Sequence, residues 1–335
     1  ISEDELIENI DIGGPSLVRA AAKNCKYVSV LTDPNQYEKF IFNLNQNNIN
    51  EAYKRELALA AFSHTAKYDT TIIETLEKKY NYDQNTFRIN TSLEKKLRYG
   101  ENPHQSGKIF GKFSEYFELI HGKEISYNNV LDIVASVELI EELEKNSCAI
   151  IKHNNPCGVS SMSNNYDSYT KALACDPVSA FGGIVAFNSE VDEKLAEKLN
   201  EIFLEVVIAP AFTDSALTLL KKKKERRIIK QIESVKKNKI NFRSIPGGVL
   251  VQDADYIDKD FDNLKIVTDK KPTEKELADL RFAWIVCKNV KSNTIVFAKD
   301  NSTIGIGAGQ VSRIDSAKIG AMKAKEFGFD LDNSV

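Results

Sequence analysis

Apolar residues follow two different spacings along this chain, and the spacings predict alternating strands and helices. Short apolar runs at 148–151, 184–187 and 206–209 have the length of buried strands. Between such runs, apolar residues recur every three or four positions, as over 130–140 and 192–203, which predicts amphipathic helices. Strands that alternate with helices along the chain indicate the α/β class.

The first ninety residues predict helices and one strand. Pro15 before an apolar stretch and Asn24 after it frame a short helix. Residues 27–31, YVSVL, then predict a buried strand. Helical periodicity continues over 36–80, with a break expected near 64–69.

The periodicity fades over residues 81–95, where the sequence becomes polar. We therefore predict a domain boundary near residue 90, with one domain over 1–90 and a second over 91–335. Both ends of the chain look cut, so we expect it to be part of a longer polypeptide.

Near the end of the chain, Thr273 and Glu276 form a capping-box pattern that predicts the start of a helix. The predicted buried stripe of this helix consists of Leu277, Leu280, Trp284 and Cys287. A hairpin turned at 300–302 and a last helix that includes 317–325 complete the pattern.

The composition predicts a soluble intracellular protein, which we expect in the cytoplasm. Hydrophobic residues make up 42% of the 335 positions and charged residues 28%, as in ordinary globular proteins. The net charge of −3 argues against a nucleic-acid partner. The basic run at 221–227 follows an apolar helical stretch and fits a solvated helix end. No run approaches the roughly 18 apolar residues of a membrane span, so we expect no membrane partner.

The five cysteines are scattered and form no C-x-x-C pair, which predicts reduced thiols. Cys157 nevertheless follows a histidine and a proline in HNNPCGVS, as in zinc nucleobase deaminases. Those enzymes need H-x-E and P-C-x-x-C, whereas Asn155 and Ser160 occupy the decisive positions here. We therefore predict no metal site.

Lys152 and His153 are the first candidates for chemistry, in the segment AIIKHNNPCGVS. They stand where a buried strand ends and Asn154–Pro156 force a turn. In α/β proteins this edge of the sheet is where ligands bind. A solvated strand end is the alternative explanation for the pair.

Other polar segments also stand at strand ends or glycine turns. The segment GIGAGQ lacks the spacing of a dinucleotide fingerprint, and its glycines indicate close approach of a backbone or a ligand. Arg98 and Arg313 could bind a phosphate bidentately. Asn129 and Asn293 could recognise ring or amide edges, and Gly182 would allow a flat ligand to approach closely.

Four segments together resemble one family. They are LRYGENPHQ, KHNNPCGV, DPVSAFGGIVAFN and the long stretch that begins SNTIVFAKDNSTIGIGAGQVSRID. All resemble the bifunctional purine biosynthesis family, which joins phosphoribosylaminoimidazolecarboxamide (AICAR) formyltransferase to IMP cyclohydrolase. The segment IENIDIGGPSLVRAAAKN is similar to the later part of that family's cyclohydrolase domain.

The resemblance implies formyl transfer from 10-formyltetrahydrofolate, as co-substrate, to the 5-amino group of AICAR, followed by ring closure to IMP. It implies that 1–90 is the C-terminal part of a methylglyoxal-synthase-like cyclohydrolase domain, and that 91–335 is a cytidine-deaminase-like transformylase domain. It also implies a homodimer with shared transformylase sites. Relative to the family pattern, the opening phosphate loops of the cyclohydrolase and the closing folate contacts are missing.

The resemblance implies a role for each of the following residues. The catalytic residues are Lys152 and His153 for formyl transfer and Lys23 for ring closure. The substrate-binding residues are Asp11, Arg98, Tyr99, His104, Asn129, Phe181, Gly182, Glu205, Asn293 and Arg313, and Ile314 contacts the folate.

Elementary chemistry agrees with the catalytic pair. The amine of AICAR is a weak nucleophile, so a base must take its proton, and an imidazole suits that task near neutral pH. The ammonium of Lys152 would stabilise the oxyanion that forms on the formyl group. A catalytically silent nucleotide-binding fragment and a metal-dependent deaminase remain the alternatives. We also expect a polypeptide that begins at Ile1 to catalyse no ring closure, and residues 1 to about 90 to be poorly packed unless an upstream segment is present.

Overall fold

The computed structural model describes residues 1–82, 85–235, 240–255 and 264–335. The chain divides into two compact units, Ile1–Thr91 and Ser92–Val335. The division falls beside the position where the sequence loses its periodicity. No helix among the described residues is both long enough and apolar enough to cross a membrane.

The first unit is helical in its described part. Its helices are α1 (Glu3–Glu8), α2 (Gly13–Lys23), α3 (Tyr37–Asn45) and α4 (Glu51–Lys79). Ala22 of α2 packs against Ala58 and Ala61 of α4, so small side chains let the two helices approach closely.

Two predictions for this unit are wrong. Residues 27–31 form no strand, and among the described residues of the unit no strand is present that could pair with them. The predicted break at 64–69 is also absent, because α4 contains neither glycine nor proline and runs on unbroken. The helical pattern is interrupted earlier instead, where Asn50 caps α4 by accepting the backbone N–H of Tyr53 at 2.9 Å.

The second unit combines strands and helices. Its elements are β1 (Leu93–Leu97), β2 (Gly107–Phe110), β3 (Phe117–His121), α5 (Tyr127–Glu141), β4 (Ser147–Lys152), β5 (Asn155–Ser161), α6 (Asn165–Cys175), α7 (Pro177–Ala180), β6 (Ile184–Phe187), α8 (Glu193–Leu199), β7 (Val206–Ala209), α9 (Asp214–Leu220), β8 (Arg227–Gln231), β9 (Ile240–Ile245), β10 (Gly248–Asp253), α10 (Glu274–Lys288), β11 (Ile295–Lys299), β12 (Ser302–Gly307) and α11 (Arg313–Glu326).

Within the described residues, one sheet has eight strands in the order β11-β12-β5-β4-β6-β7-β8-β3. The pairs β6–β7 and β7–β8 are parallel, and the others are antiparallel. This mixed sheet agrees with the predicted α/β class. Two-stranded ribbons, β1–β2 and β9–β10, lie outside it.

The sheet is buried on both faces. Successive residues of a strand point to opposite sides, so Ala149 and Ile151 of β4 join one core while Cys148 and Ile150 join the other. Helices α5 and α10 contribute to the first core, and α6, α8 and α9 contribute to the second. The central strands therefore show continuous apolar runs.

Most strands and helices predicted in the second unit are present. The apolar runs at 148–151, 184–187 and 206–209 lie in β4, β6 and β7, and the hairpin turns at 300–301. The helix predicted over 192–203 is shorter, because α8 ends at Leu199. Gly305 and Gly307 of β12 allow close approach of a backbone, since a Cβ at Gly307 would lie 1.8 Å from a carbonyl oxygen of α11.

Two surface predictions need correction. On α10, the residues of the predicted stripe are partly exposed, with Trp284 62% exposed, while Phe282 and Val286 are buried. In the basic run, the lysines that follow α9 are exposed as predicted, but Arg226 and Arg227 are buried and lead into β8. The charge of the run did not distinguish these two buried arginines from the exposed lysines before them.

Candidate functional site

A two-residue hairpin turn carries the candidate catalytic histidine. Lys152, the last residue of β4, pairs with Asn155, the first residue of β5, which leaves His153 and Asn154 as the turn. Their φ angles are 54° and 59°. Positive φ at both central residues is the mark of a type I′ turn, which matches the twist of the flanking strands. The turn therefore presents an exposed His153 at the strand end.

Asp132 of α5 binds the backbone of this turn. Its carboxylate accepts the N–H of Asn154 at 2.7 Å and that of His153 at 3.3 Å. Two converging backbone N–H groups form an anion site of the kind found in tight turns. The sequence analysis missed Asp132, because nothing near residue 132 signals contact with a turn some twenty residues later.

Lys152 lies against the glycine turn that follows α7. Its ammonium group donates a hydrogen bond to the carbonyl oxygen of Phe181 at 2.7 Å. Gly182 has a φ of 74°, and a Cβ there would lie 4.0 Å from the Lys152 ammonium nitrogen. Phe181 is 59% exposed and packs on Phe203 with ring centroids 5.6 Å apart. The structure therefore brings Lys152, Phe181 and Gly182 together.

A second cluster surrounds Glu205, just before β7. One carboxylate oxygen of Glu205 accepts both the side-chain amide of Asn129 at 3.1 Å and the guanidinium of Arg227 at 3.0 Å. Arg227 also donates to the carbonyl oxygen of Glu124 at 2.9 Å. Asn129 and Glu205 are thus in contact, and Arg227, which the sequence analysis placed in a solvated run, holds them.

A cleft of about 560 Å³ opens beside the hairpin. Lys152 and His153 line it together with Cys157, Asp176 and Lys323. Burial, reinforced by the nearby Asp176 carboxylate, raises the pKa of the Cys157 thiol to about 12. Among the described residues, no three histidine, cysteine or acidic side chains are grouped closely enough to hold a metal ion.

Asp176 and Lys323 form an ion pair in the wall of this cleft. Burial raises the pKa of the Asp176 carboxyl, but hydrogen bonds from Lys323 and Ser179 outweigh that effect and leave the pKa below its usual value. Asp176 also caps α7 by accepting the N–H of Ser179 at 2.9 Å. Both residues of the pair were missed by the sequence analysis.

The segment before α11 supplies the next candidates. The side chain of Asn293 donates to the carbonyl oxygens of Gln310 at 3.1 Å and Val311 at 3.2 Å, and Gln310 lines the cleft. Arg313 is the first residue of α11 and is exposed, and Ile314 is 66% exposed. Asn293 therefore fixes the segment that leads to both side chains.

The loop between β1 and β2 carries Arg98, Tyr99 and His104. The guanidinium carbon of Arg98 lies 6.0 Å from the centroid of the Tyr99 ring, and His104 is exposed. The loop is joined to α5 where Asn128 donates to the carbonyl oxygen of Glu101 at 3.3 Å. The loop therefore contacts the first turn of the helix that holds Asn129.

Arg98 and Arg313 are the two residues that the sequence predicts to bind a phosphate. Among the described residues, no hydrogen bond or ion pair joins Arg98 or Arg313 to one another, to Lys152 or to His153. Their joint binding of one phosphate stays a prediction.

Asp11 and Lys23 lie in the first unit. Lys23 is the exposed last residue of α2. The backbone N–H of Asp11 donates to the Tyr68 hydroxyl at 2.8 Å, and the Asp11 carboxylate accepts the N–H of Gly14 at 3.0 Å. Gly13 and Gly14 lie in the first turn of α2, and the Asp11 carboxylate occupies one backbone N–H group of that turn.

Comparison with known proteins gives a consistent result. The family model described as AICARFT/IMPCHase bienzyme matches residues 21–323. Curated relatives named bifunctional purine biosynthesis protein PurH match almost the whole chain. The protein from Persephonella marina is 47% identical over 345 residues, which cover 99% of this chain and 67% of the relative. The protein from Chlorobium phaeobacteroides is 45% identical over 100% of this chain and 67% of the relative.

A third relative, from Thermoanaerobacter sp., is 48% identical over 94% of this chain and 63% of its own length. The chain thus spans about two thirds of the length of the relatives it matches. Both the family model and the relatives extend over the two units. The chain therefore belongs to the AICARFT/IMPCHase bienzyme family.

Proposed function

We propose that this protein is a bifunctional enzyme of de novo purine biosynthesis. It transfers the formyl group of 10-formyltetrahydrofolate to the 5-amino group of AICAR, and the product is closed to IMP by the complete cyclohydrolase domain, of which this chain carries a part. The match of nearly the whole chain to bifunctional PurH proteins carries this proposal. The held turn with Lys152 and His153 beside a cleft supports it from the geometry.

Formyl transfer needs a base and a stabilised oxyanion. As the 5-amino nitrogen of AICAR attacks the formyl carbon, the imidazole of His153 takes the proton that the amine loses. The ammonium of Lys152 keeps two N–H groups besides the one bonded to Phe181, and they stabilise the oxyanion. The carbon–N10 bond then breaks and N10 takes a proton, which leaves formyl-AICAR and tetrahydrofolate.

The remaining residues bind the substrates. Asn129 and Glu205, held together by Arg227, present polar groups to the nucleotide. Arg98 and Arg313 bind its phosphate, with Tyr99, His104, Phe181, Gly182 and Asn293 as further contacts. Ile314 contacts the folate, which suits an aliphatic side chain that is largely exposed beside the cleft segment.

We propose that two copies of the chain share each transformylase site. The exposed Arg313 supports this arrangement, since no ion pair or hydrogen bond of the described residues uses its guanidinium. The ribbon β9–β10 also supports it, because apolar residues such as Leu250, Ile240 and Val249 are 59%, 45% and 42% exposed.

The two units take the two steps. Unit Ile1–Thr91 is part of the cyclohydrolase domain, where the carboxamide nitrogen attacks the formyl carbon and water leaves, with Lys23 as proton donor and Asp11 as a substrate contact. Unit Ser92–Val335 is the cytidine-deaminase-like transformylase domain, which its mixed sheet with helices on both faces supports. The cytoplasmic location stays a prediction.

The test of the transformylase site is kinetic. AICAR and 10-formyltetrahydrofolate are supplied, and formyl-AICAR and tetrahydrofolate are measured. We expect His153→Ala to lower kcat by about 10²- to 10⁴-fold with AICAR affinity within about tenfold, because a base acts in the transition state. Lys152→Ala should lower kcat by roughly 10²-fold. His64→Ala, an exposed histidine of α4, is the matched control.

Each alternative has its own outcome in the same experiment. A His153→Ala enzyme that works near the wild-type rate would mean that another group is the base. AICAR binding without any turnover in the wild-type protein would favour a silent nucleotide-binding fragment. Bound zinc together with release of ammonia from a nucleobase would favour a deaminase.

A further inference from the structure

The turn that carries His153 has a backbone conformation that non-glycine residues seldom adopt. Both central residues have positive φ, at 54° and 59°. Non-glycine residues seldom adopt this region, although Asn and His do so more often than most, and turns of this type prefer Asn-Gly to the His-Asn found here. Backbone conformations of this kind persist only where surrounding contacts fix them.

We propose that Asp132 is the positioning residue that fixes this turn for formyl transfer, and the inference rests on the proposed function of His153. Its carboxylate accepts the backbone N–H groups of both turn residues, at 3.3 and 2.7 Å. In the amide orientation that satisfies its hydrogen bonds, the side chain of Asn154 adds a contact to Asp132 at 3.2 Å and one to the Leu131 carbonyl oxygen at 3.1 Å.

Asp132 is itself held in place. It lies in α5, which buries Ile133 and Val137 completely and is capped by Ser126. Asn129 lies three residues earlier, so both side chains project from one side of the helix. Helix α5 therefore connects the base on its turn to the Asn129–Glu205 contact that is proposed to bind the nucleotide.

This arrangement predicts a specific kinetic effect. A catalytic group that is displaced by about 1 Å can lose on the order of 10²-fold in rate, even though the substrate still binds. Asp132→Ala removes both acceptors from the turn. We expect kcat for formyl transfer to fall by about 30- to 100-fold, with the KM for AICAR within about threefold.

A second substitution separates positioning from other roles. Glycine adopts positive φ without a steric cost, so Asn154→Gly should let the turn form without its carboxylate. In the double variant, Asp132→Ala with Asn154→Gly, we expect about a fivefold recovery of kcat over Asp132→Ala alone.

Two further variants complete the series. The kcat of Asp132→Asn, which keeps one acceptor oxygen, should lie between those of the wild-type protein and Asp132→Ala. Glu138→Ala, an exposed carboxylate of the same helix, is the matched control.

Hydrogen exchange of the peptide spanning 150–158 gives a readout that does not depend on turnover. Asp132→Ala should exchange faster there, and Glu138→Ala should not. Unchanged kcat in Asp132→Ala, with or without a lower Tm, would overturn the inference. A loss confined to KM, without recovery in the double variant, would also overturn it and make Asp132 a substrate contact. If the wild-type protein transfers no formyl group, the proposed function fails, and the catalytic part of this inference fails with it. If His153→Ala stays active while Asp132→Ala loses kcat, the proposed role of His153 fails, and the effect of Asp132 on the rate has another cause.

Discussion

The ion pair between Lys323 and Asp176 predicts how much stability the protein loses when the lysine charge is removed. Asp176 is only 4% exposed, and the side chain of Lys323 is 33% exposed. The carboxylate also accepts the backbone N–H of Ser179 at 2.9 Å and its hydroxyl at 2.7 Å. Replacing Lys323 with Met keeps the length of the side chain and removes its charge.

The expected cost follows from these contacts. A hydrogen bond to a charged group contributes about 1.5–3 kcal/mol. Solvent screens a pair whose lysine is one third exposed, so we expect Lys323→Met to lower the free energy of unfolding by about 1–2 kcal/mol at pH 7. For a unit of this size, that corresponds to a decrease in Tm of about 2–8 °C.

The pH dependence gives the sharper test. The pKa of Asp176 is lower in the folded protein than its usual value, so its stabilising contribution is complete above the unfolded pKa of about 3.9. The contribution is lost as the pH falls through the lower folded pKa. Without Lys323, burial opposes the charged carboxylate and the contribution shrinks. The loss of unfolding free energy in Lys323→Met, relative to the wild-type protein, should therefore be largest near neutral pH and smaller below about pH 4.

Urea unfolding of the wild-type protein and the variant at both pH values measures this deficit. Lys325→Met, an exposed lysine of the same helix, controls for the loss of one surface charge. Asp176→Asn completes a double-mutant cycle, in which we expect a coupling energy of about 1–2 kcal/mol. An equal deficit at both pH values, or a coupling energy near zero, would refute the reasoning and assign the effect to packing of the lysine stem.

Three further predictions concern the nucleotide site and the packing of the last helix. Arg98→Ala and Arg313→Ala should each weaken AICAR about tenfold more than its dephosphorylated nucleoside, and equal losses in calorimetry would show that they do not hold the phosphate. Arg227→Met should raise the KM for AICAR by about tenfold with little change in kcat, because the Glu205 carboxylate loses its guanidinium partner. An unchanged KM in steady-state kinetics would contradict this. Gly307→Ala should lower the free energy of unfolding by about 2–4 kcal/mol, because the added Cβ would overlap the backbone of α11. At Gly248 an added Cβ meets open space, so Gly248→Ala should change the free energy of unfolding by no more than about 1 kcal/mol in the same denaturation assay.

Local sequence signals were sufficient for much of the second unit. The apolar run at 148–151 and the turn residues after it specify β4 and its end, and Thr273 with Glu276 forms the predicted capping box of α10. Such elements are encoded within a few residues, so the sequence predicts them without knowledge of the fold.

The buried face of α10 could not be predicted in the same way. This helix carries apolar residues on more than one side, and Leu280 and Trp284 match a helical stripe as well as Phe282 and Val286 do. Only the position of the sheet decides which side is covered, and it covers the side with Phe282 and Val286. Periodicity predicts that a helix exists, whereas tertiary packing selects its face.

The candidate site combines both situations. Lys152 and His153 were identified from a strand end and a turn, which are local features. Asp132 and Arg227 were not, because each acts on a segment about twenty residues or more away in sequence, as the contacts Asp132–Asn154 and Arg227–Glu205 show. From one sequence, a charged residue whose partner is distant along the chain cannot be distinguished from an exposed surface charge.

Three charged residues, Asp132, Asp176 and Arg226, share one structural role, which is to hold the loops that carry the candidate site. Asp132 binds the turn of His153, Asp176 caps the short helix before the glycine turn, and Arg226 donates to carbonyl oxygens of the loop that leads to Glu205. Asp132 lies within α5, Asp176 lies between α6 and α7, and Arg226 immediately precedes β8, while His153 lies on the turn itself. A site built this way keeps its reactive groups exposed and takes its geometry from rigid elements. Substitutions at Asp132 and Arg226, which do not line the cleft, should therefore reduce the kcat for formyl transfer with little change in the KM for AICAR, as steady-state kinetics would show.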